Sequence, residues 1–479
     1  MEKKDYKTLG RIYTDNYIVN IILNLSNYTG ESIRKKHVID NSCGNGAFLT
    51  EIVNRYCNQC LCENLSAKEI KSEIETYIHG IDIDKNECEK CKNNILNTLK
   101  SHGIESANLD IRCADALIIH DYDGKMDYVF GNPPYVRVHN LGFSYENVKK
   151  LSATKLGMTD LYIAFFEVGL QMLNKSGKLA YITPNSYFNS LAGSEIRKYF
   201  SEAQYIKKIL DFKHYKAFKN VSTYTAITVL DKSNSQNEVE YYEFDAKKQS
   251  VKFVDKLAKC DFCIGGNFYF SAKSNLKLLK HILSTRDNCD ISIKNGYATL
   301  SDTVFINDFD FDSPFIKNVV KASRGITKKI LYPYDENANL IPENDIKQDK
   351  KVYQYLLKNK SRLLNRSITD KDKNWYAFGR TQGLTDTYKS KCAISTLIRD
   401  KKDLKITEAP RGVGVYGGQY IVSNTISIND ICGALISDEF TTYIALLGKY
   451  KNGGYYSFST KDIKKFLDYK FAHKEKANR

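Results

Sequence analysis

His37-Val38-Ile39-Asp40-Asn41-Ser42-Cys43-Gly44-Asn45-Gly46-Ala47-Phe48-Leu49 reads as a short apolar strand ending in an acid, a tight glycine loop, and a helix starting near Ala47. That order brings a bound molecule close to backbone N–H groups and a helix N-terminus, as in nucleotide-binding α/β sheets. The loop lacks the three-glycine spacing of a dinucleotide site, and a bare Gly-x-Gly fits an ordinary turn equally well. Its neighbours along the chain decide.

Downstream, Tyr77-Ile78-His79-Gly80-Ile81-Asp82-Ile83-Asp84 reads as a second strand ending in carboxylates. An acid at the end of a second strand suits a ribose diol, because a carboxylate accepts both hydroxyl protons. Asp82 fits that role; Asp84 fits the cap of the next helix. A third strand, Leu109–Cys113, delivers Ala114-Asp115-Ala116, and a fourth delivers Asp127-Tyr128-Val129-Phe130-Gly131-Asn132-Pro133-Pro134-Tyr135. Gly131 and two prolines end that strand abruptly, since proline fixes φ and has no N–H for a ladder. The loop offers the Asn132 side-chain oxygen, the Pro133 carbonyl and a flat Tyr135 ring, which together suit a planar ligand bearing an NH2 group. Taken alone, these four residues fit a proline turn without function equally well.

Four strands ending in Asp40/Gly44, Asp82, Asp115 and Asn132, with helical patterns between them, describe a doubly wound parallel sheet with its site at the strands' carboxyl ends. Upstream, Leu9–Asp15 is a polar turn whose Thr14 suits the cap of the helix carrying Ile18, Ile21, Ile22 and Leu25. Downstream come an apolar helix at 160–170, a fifth strand at 177–184, and Phe218-Lys219-Asn220-Val221-Ser222-Thr223 leading into a β-rich stretch through Leu230. The polar run 231–239 marks a domain boundary, giving a catalytic domain over 1–235 and a second domain over 236–479. There, helical patterns appear near 273–285 and 344–365, strands near 303–306, 392–397 and 419–426, and a Lys-rich helical tail after 460.

The chain has 479 residues and a formal net charge of +15. Residues 1–230 hold 29 Lys and Arg against 26 Asp and Glu, whereas the remainder holds 42 against 30. A basic second half rich in tyrosine and asparagine suits a polyanion-binding surface. No run of 18 apolar residues and no apolar signal core are present, so the reading is a soluble, cytoplasmic protein without membrane association. Cys57/Cys60, Cys88/Cys91 and Cys260/Cys263 have the pairwise spacing of zinc ligands. The first two pairs fall in helical patterns without a Gly-rich knuckle, so free thiols and no metal are expected.

On these ordered motifs the chain resembles the TaqI-like, gamma-type DNA adenine-N6 methyltransferases, over roughly the first 230 residues and more loosely beyond, as a TaqI-like specificity domain. The resemblance implies a Rossmann-like S-adenosylmethionine-dependent methyltransferase sheet followed by an α+β DNA-recognition domain. It implies S-adenosyl-L-methionine as cofactor, held by Thr14, Asp40, Cys43, Gly44, Gly46, Asp82, Asp115, Ala116 and Asn132. Asn132, Pro133, Tyr135 and Phe218 would take a flipped target base, with Phe218 opposite Tyr135. Double-stranded DNA would be the partner, bound by a monomer, with Arg324, Arg380, Gln382 and Arg411 as contact candidates in the basic half. Asp15 and Asn41 depart from the family pattern, each standing where proline is common. Only about ten residues precede the first motif, too few for a nuclease domain of typical size, so any restriction endonuclease is expected on a separate chain. The rivals are N4-cytosine methyltransferases, whose loop more often begins with serine, and RNA-base or protein-glutamine methyltransferases.

Overall fold

The computed structural model describes residues 12–137, 145–156, 159–218, 221, 223–233, 238–286 and 289–472. Leu9–Arg11 of the first motif, Lys219, Asn220 and Ser222 beside Phe218, and the tail beyond residue 472 lie outside the described residues. The chain divides into two compact units, 1–276 and 277–479.

The first unit is built on a nine-stranded sheet: β1 (Val38–Asp40), β2 (Ile78–Asp82), β3 (Asp110–Cys113), β4 (Met126–Gly131), β5 (Leu173–Pro184), β6 (Ile206–Asp211), β7 (Thr225–Asp231), β8 (Glu238–Asp245) and β9 (Ser250–Ala258). Their spatial order is β3-β2-β1-β4-β5-β7-β6-β8-β9. The strands from β3 to β5 are parallel, and β7 runs antiparallel between β5 and β6. Val38, Ile39 and Asp40 are all buried, as a strand covered on both faces must be. Tyr128 and Phe130 point to one face and meet Tyr28 edge-on, with ring centroids 5.2 and 5.5 Å away. Chain order reverses direction between β1 and β4, which opens a crevice at the carboxyl ends of the strands. This is the doubly wound sheet expected from the motif order.

The sheet does not stop at the polar run 231–239. β8 pairs parallel to β6, and β9 pairs with β8, so the polar run includes a connection within one sheet. The alternating burial of β8 is what returns the chain to the sheet.

The second unit holds a four-stranded antiparallel sheet with Gln419–Ser423 and Lys391–Ile394 at its centre, and a three-stranded sheet of Ile326–Leu331, Ile316–Lys321 and Gly414–Tyr416. Tyr297, Tyr332, Trp375 and Phe378 lie in its core. The expected helices appear at Lys273–Ser284, Lys350–Lys358 and Thr460–Phe471. The strand expected near 303–306 is instead a helical turn, Asp302–Phe305. Thr299 Oγ donates to Asp302 at 2.5 Å and accepts from Ser301 N at 3.0 Å, a local network that overrides the β preference of Val304 and Phe305. Among the described residues, no helix is long and apolar enough to cross a membrane.

Candidate active site

The crevice at the strand ends is a cleft of about 340 Å³. It is lined by Thr14, Asp40, Cys43, Gly44, Asp82, Asp115, Ala116 and Asn132, which the sequence motifs had singled out one by one. Each strand contributes through its end. β1 delivers Asp40, β2 delivers Asp82, β3 leads to Asp115, and β4 leads to Asn132.

Asp82 ties two of these loops together, accepting from Gly44 N at 2.8 Å and from Asp84 N at 2.9 Å. Asp84 caps the following helix by accepting from Asn86 N and Glu87 N, as its position predicted. Asp115 accepts from Leu117 N at 3.0 Å. Asp40 is fully buried, and the hydrogen bond it accepts from Ser42 N does not offset burial, so its pKa is pushed up to about 8. Gly131 permits this packing, because a Cβ there would lie 2.9 Å from Asp40 Oδ1 and 3.2 Å from Ser42 Oγ.

The Asn132 amide has a definite direction. Its Nδ2 donates to the Ile12 carbonyl and to Thr14 Oγ1, each at 3.1 Å. A carbonyl only accepts, so the NH2 must face it, and Oδ1 faces the other way. Asn132 Oδ1 is buried and has no hydrogen-bond partner among the described residues; Oγ of Ser42, another residue that lines the cleft, is in the same state. Buried polar atoms are rarely left so, and a bound molecule is one way to satisfy them.

Several expectations change in detail. Thr14 does not cap the first helix: Asp15 occupies the N-cap position, and Thr14 bonds Asn132 instead. Gly46 does not line the cleft. It turns the chain into the helix Ala47–Cys62 with φ +87°, and a Cβ would meet Cys91 Sγ at 2.7 Å. Pro134 rather than Pro133 faces the cleft. Tyr135 and Phe218 lie outside its wall and touch one another, with centroids 6.3 Å apart and ring planes at 72°. Two parallel rings holding a base between them need about 7 Å, twice the usual 3.5 Å carbon contact, so the rings must part to admit one. Asn41, which departs from the pattern of the family the sequence resembles, accepts from Tyr181 OH at 2.8 Å.

The motifs did not point to the cleft's apolar wall, which includes Ile83, Leu117, Leu161 and Phe165. Ile83 carried a signal: an isoleucine directly after the strand-ending Asp82, where a turn is usually polar, and it stands 60% exposed. Leu161 and Phe165 are four apart at the start of the helix Leu161–Met172, hence on one face. Arg324, Arg380, Gln382 and Arg411 are all exposed in the second unit. Cys57, Cys60, Cys88 and Cys91 are buried thiols within helices, and no His/Cys/Asp/Glu group suited to a metal occurs among the described residues.

Residues 47–218 match the Eco57I restriction-modification methylase family. The chain is 24% identical over 419 residues to the type II methyltransferase M.BstVI of Geobacillus stearothermophilus, covering 78% of this chain and 74% of that protein. It is 22% identical over 440 residues to the type II restriction enzyme and methyltransferase RM.Eco57I of Escherichia coli, covering 72% of this chain but only 44% of that longer protein. Among solved structures, it superposes on the type IIL restriction-modification enzyme MmeI in complex with DNA with a TM-score of 0.61 at 15% identity, covering 96% of this chain and 68% of that one. The first unit is thus a mixed α/β sheet in which β7 runs antiparallel to its neighbours.

Proposed function

We propose that the chain is a restriction-modification type DNA methyltransferase that methylates N6 of an adenine rotated out of double-stranded DNA. The observation that carries this reading is the buried oxygen of Asn132, without a partner among the described residues, on a residue at the end of β4 that lines a cleft whose other strand ends present carboxylates. The donor set fits S-adenosyl-L-methionine: Asp82 for a ribose diol, Asp115 for an adenine amino group, and the Asp40–Gly44 turn for a methionine moiety. Ser42 Oγ adds a further polar atom in need of a partner. When bound, that cofactor supplies an electrophilic methyl group.

The chain's own residues prepare the acceptor. An adenine amino nitrogen is a weak nucleophile because its lone pair is delocalised into the ring. Asn132 Oδ1 and the Pro133 carbonyl accept its two hydrogens, favour a more tetrahedral nitrogen, and stabilise the positive charge that develops on it. Tyr135 and Phe218 separate from their present contact and stack on the base, since N6 is unreachable within the duplex. Positioning supplies much of the acceleration, and neither a covalent cysteine nor a strong general base is required. Arg324, Arg380 and Arg411 suit phosphates or guanine edges, and Gln382 an adenine edge. The initial asparagine of the loop favours adenine over cytosine, and the protein acts as a monomer on DNA.

Expression in a methylation-free host, followed by sequencing that detects modified bases, tests this directly. N6-methyladenine at one recurrent motif is the expected result. N4-methylcytosine, or an unmodified genome with cofactor bound, overturns it.

A further inference from the structure

Residues 12–14 line the cleft and bond to both of its halves. On one side, the Ile12 carbonyl and Thr14 Oγ1 take both hydrogens of the Asn132 amide. On the other, Tyr13 OH donates to the Glu87 carboxylate, 3.2 Å from each oxygen. Glu87 is only 2% exposed and sits in the first turn of the helix that follows Asp82, where Lys90 Nζ also reaches it at 2.8 Å. The strap thus joins the β2 side of the cleft to the loop after β4.

An asparagine amide has two nearly isosteric orientations, and only one of them presents an acceptor to an amine. In the other, Nδ2 would point at the amine's own hydrogens. Nothing within Asn132 selects between them, so the selection falls to what its far side touches. We propose that the Ile12–Thr14 strap is a positioning device: the Ile12 carbonyl and the Thr14 hydroxyl fix the Asn132 amide so that its oxygen faces the acceptor amine, and Tyr13 on Glu87 pins the strap in place. This rests on the reading of Asn132 as the amine acceptor, and it gives Thr14 a role distinct from cofactor contact. The hydroxyl matters in this account because it shares the NH2 group; a methyl group in its place fills the same volume and leaves one N–H without a partner.

The test compares wild type with Thr14→Val, Thr14→Ser and Tyr13→Phe in the full chain, with two readouts. The first needs no turnover: the side-chain NH2 resonance of Asn132 in asparagine-labelled protein, assigned by its absence in Asn132→Ala. Its hydrogen exchange is expected to be slow in wild type and Thr14→Ser, and to accelerate at least about tenfold in Thr14→Val as the local hold on the amide is lost. Tyr13→Phe should give a smaller acceleration. The second readout separates rate from affinity: single-turnover methyl transfer should fall at least about tenfold in Thr14→Val while the cofactor Kd changes less than about threefold, with Thr14→Ser restoring the rate. Unchanged amide exchange in Thr14→Val, or cofactor affinity falling in step with the rate, overturns the positioning role. A wild-type chain whose amide is protected as described but which methylates no DNA overturns the reading of the reaction, while leaving the strap's hold on Asn132 established by the exchange data.

Discussion

The two ends of the parallel strands in the first unit carry the same kinds of residue in opposite electrostatic states. At the carboxyl ends, among the described residues, Asp40 is fully buried with one backbone N–H as its donor, which leaves its pKa pushed up to about 8, and Asn132 Oδ1 has no partner. At the amino ends, Asp110 accepts from the His79 ring at 2.7 Å, Arg112 Nε at 2.8 Å and Tyr122 OH at 2.9 Å, and these donors hold it well below the usual carboxylate range despite partial burial. His79 in turn meets His37 at 3.0 Å, closing the network. One end is chemically complete and the other is not. Since leaving a buried polar group unsatisfied costs roughly 1–3 kcal/mol, an unsatisfied oxygen on a residue of the cleft wall marks where a ligand is expected, and the fully supplied carboxylate of Asp110 marks a girder.

The largest effect should come from deleting the incomplete end's main acceptor. Asn132→Ala is expected to lower single-turnover methyl transfer by about 10³-fold, in the range for losing one preorganised transition-state group, with cofactor Kd nearly unchanged. Wild-type turnover in that variant would erase the distinction between the ends. Next is the proton on Asp40. A cationic cofactor lowers the pKa of a nearby acid, so binding expels the proton that the free protein holds below about pH 8. Affinity should therefore rise as pH rises towards 8, by up to about tenfold per pH unit, and level off above it. Calorimetry in two buffers of different ionisation enthalpy would count the released proton, and Asp40→Asn should flatten the profile. For folding alone the sign is opposite: the native state keeps a proton that the unfolded chain loses above its ordinary pKa, so Asp40 weakens the unliganded fold as pH climbs towards 8.

What was legible in the sequence follows from the same physics. Acids at the ends of short apolar runs, in order, identify strand ends, because parallel strands are buried along their length and change polarity only where they emerge. Asp40, Asp82, Asp115 and Asn132 were readable for that reason. Contacts made at long range were not. Thr14 and Asn132 are 118 residues apart, and no local pattern says that one holds the other. Gly46 reads as a cofactor glycine until Cys91, on another helix, is seen to fill the space beside it. β8 and β9 were hidden because a polar stretch of sequence reads the same whether it leaves a domain or returns to a sheet.

At the complete end, substitutions should cost stability and spare the chemistry. Asp110→Asn removes the charge that three donors share and is expected to cost about 2 kcal/mol. The depressed pKa of Asp110 means its contribution is present above the ordinary carboxylate pKa and is lost as pH falls through the lower folded value, so the wild-type advantage over Asp110→Asn should disappear only in strong acid.

The smallest and sharpest test is Tyr122→Phe. The ring is buried and stays in place beside His79, 5.4 Å away, while one hydrogen bond to Asp110 is lost and two donors remain. The expected cost is about 1 kcal/mol, read as a shift in the urea midpoint with an unchanged slope. Because Tyr122 sits by the start of β3 and the cleft lies past its end, methyl-transfer rate and cofactor Kd should match wild type. A rate loss in Tyr122→Phe would mean that the two ends are coupled through the strands, and that the girder sets the geometry of the site as well as carrying it.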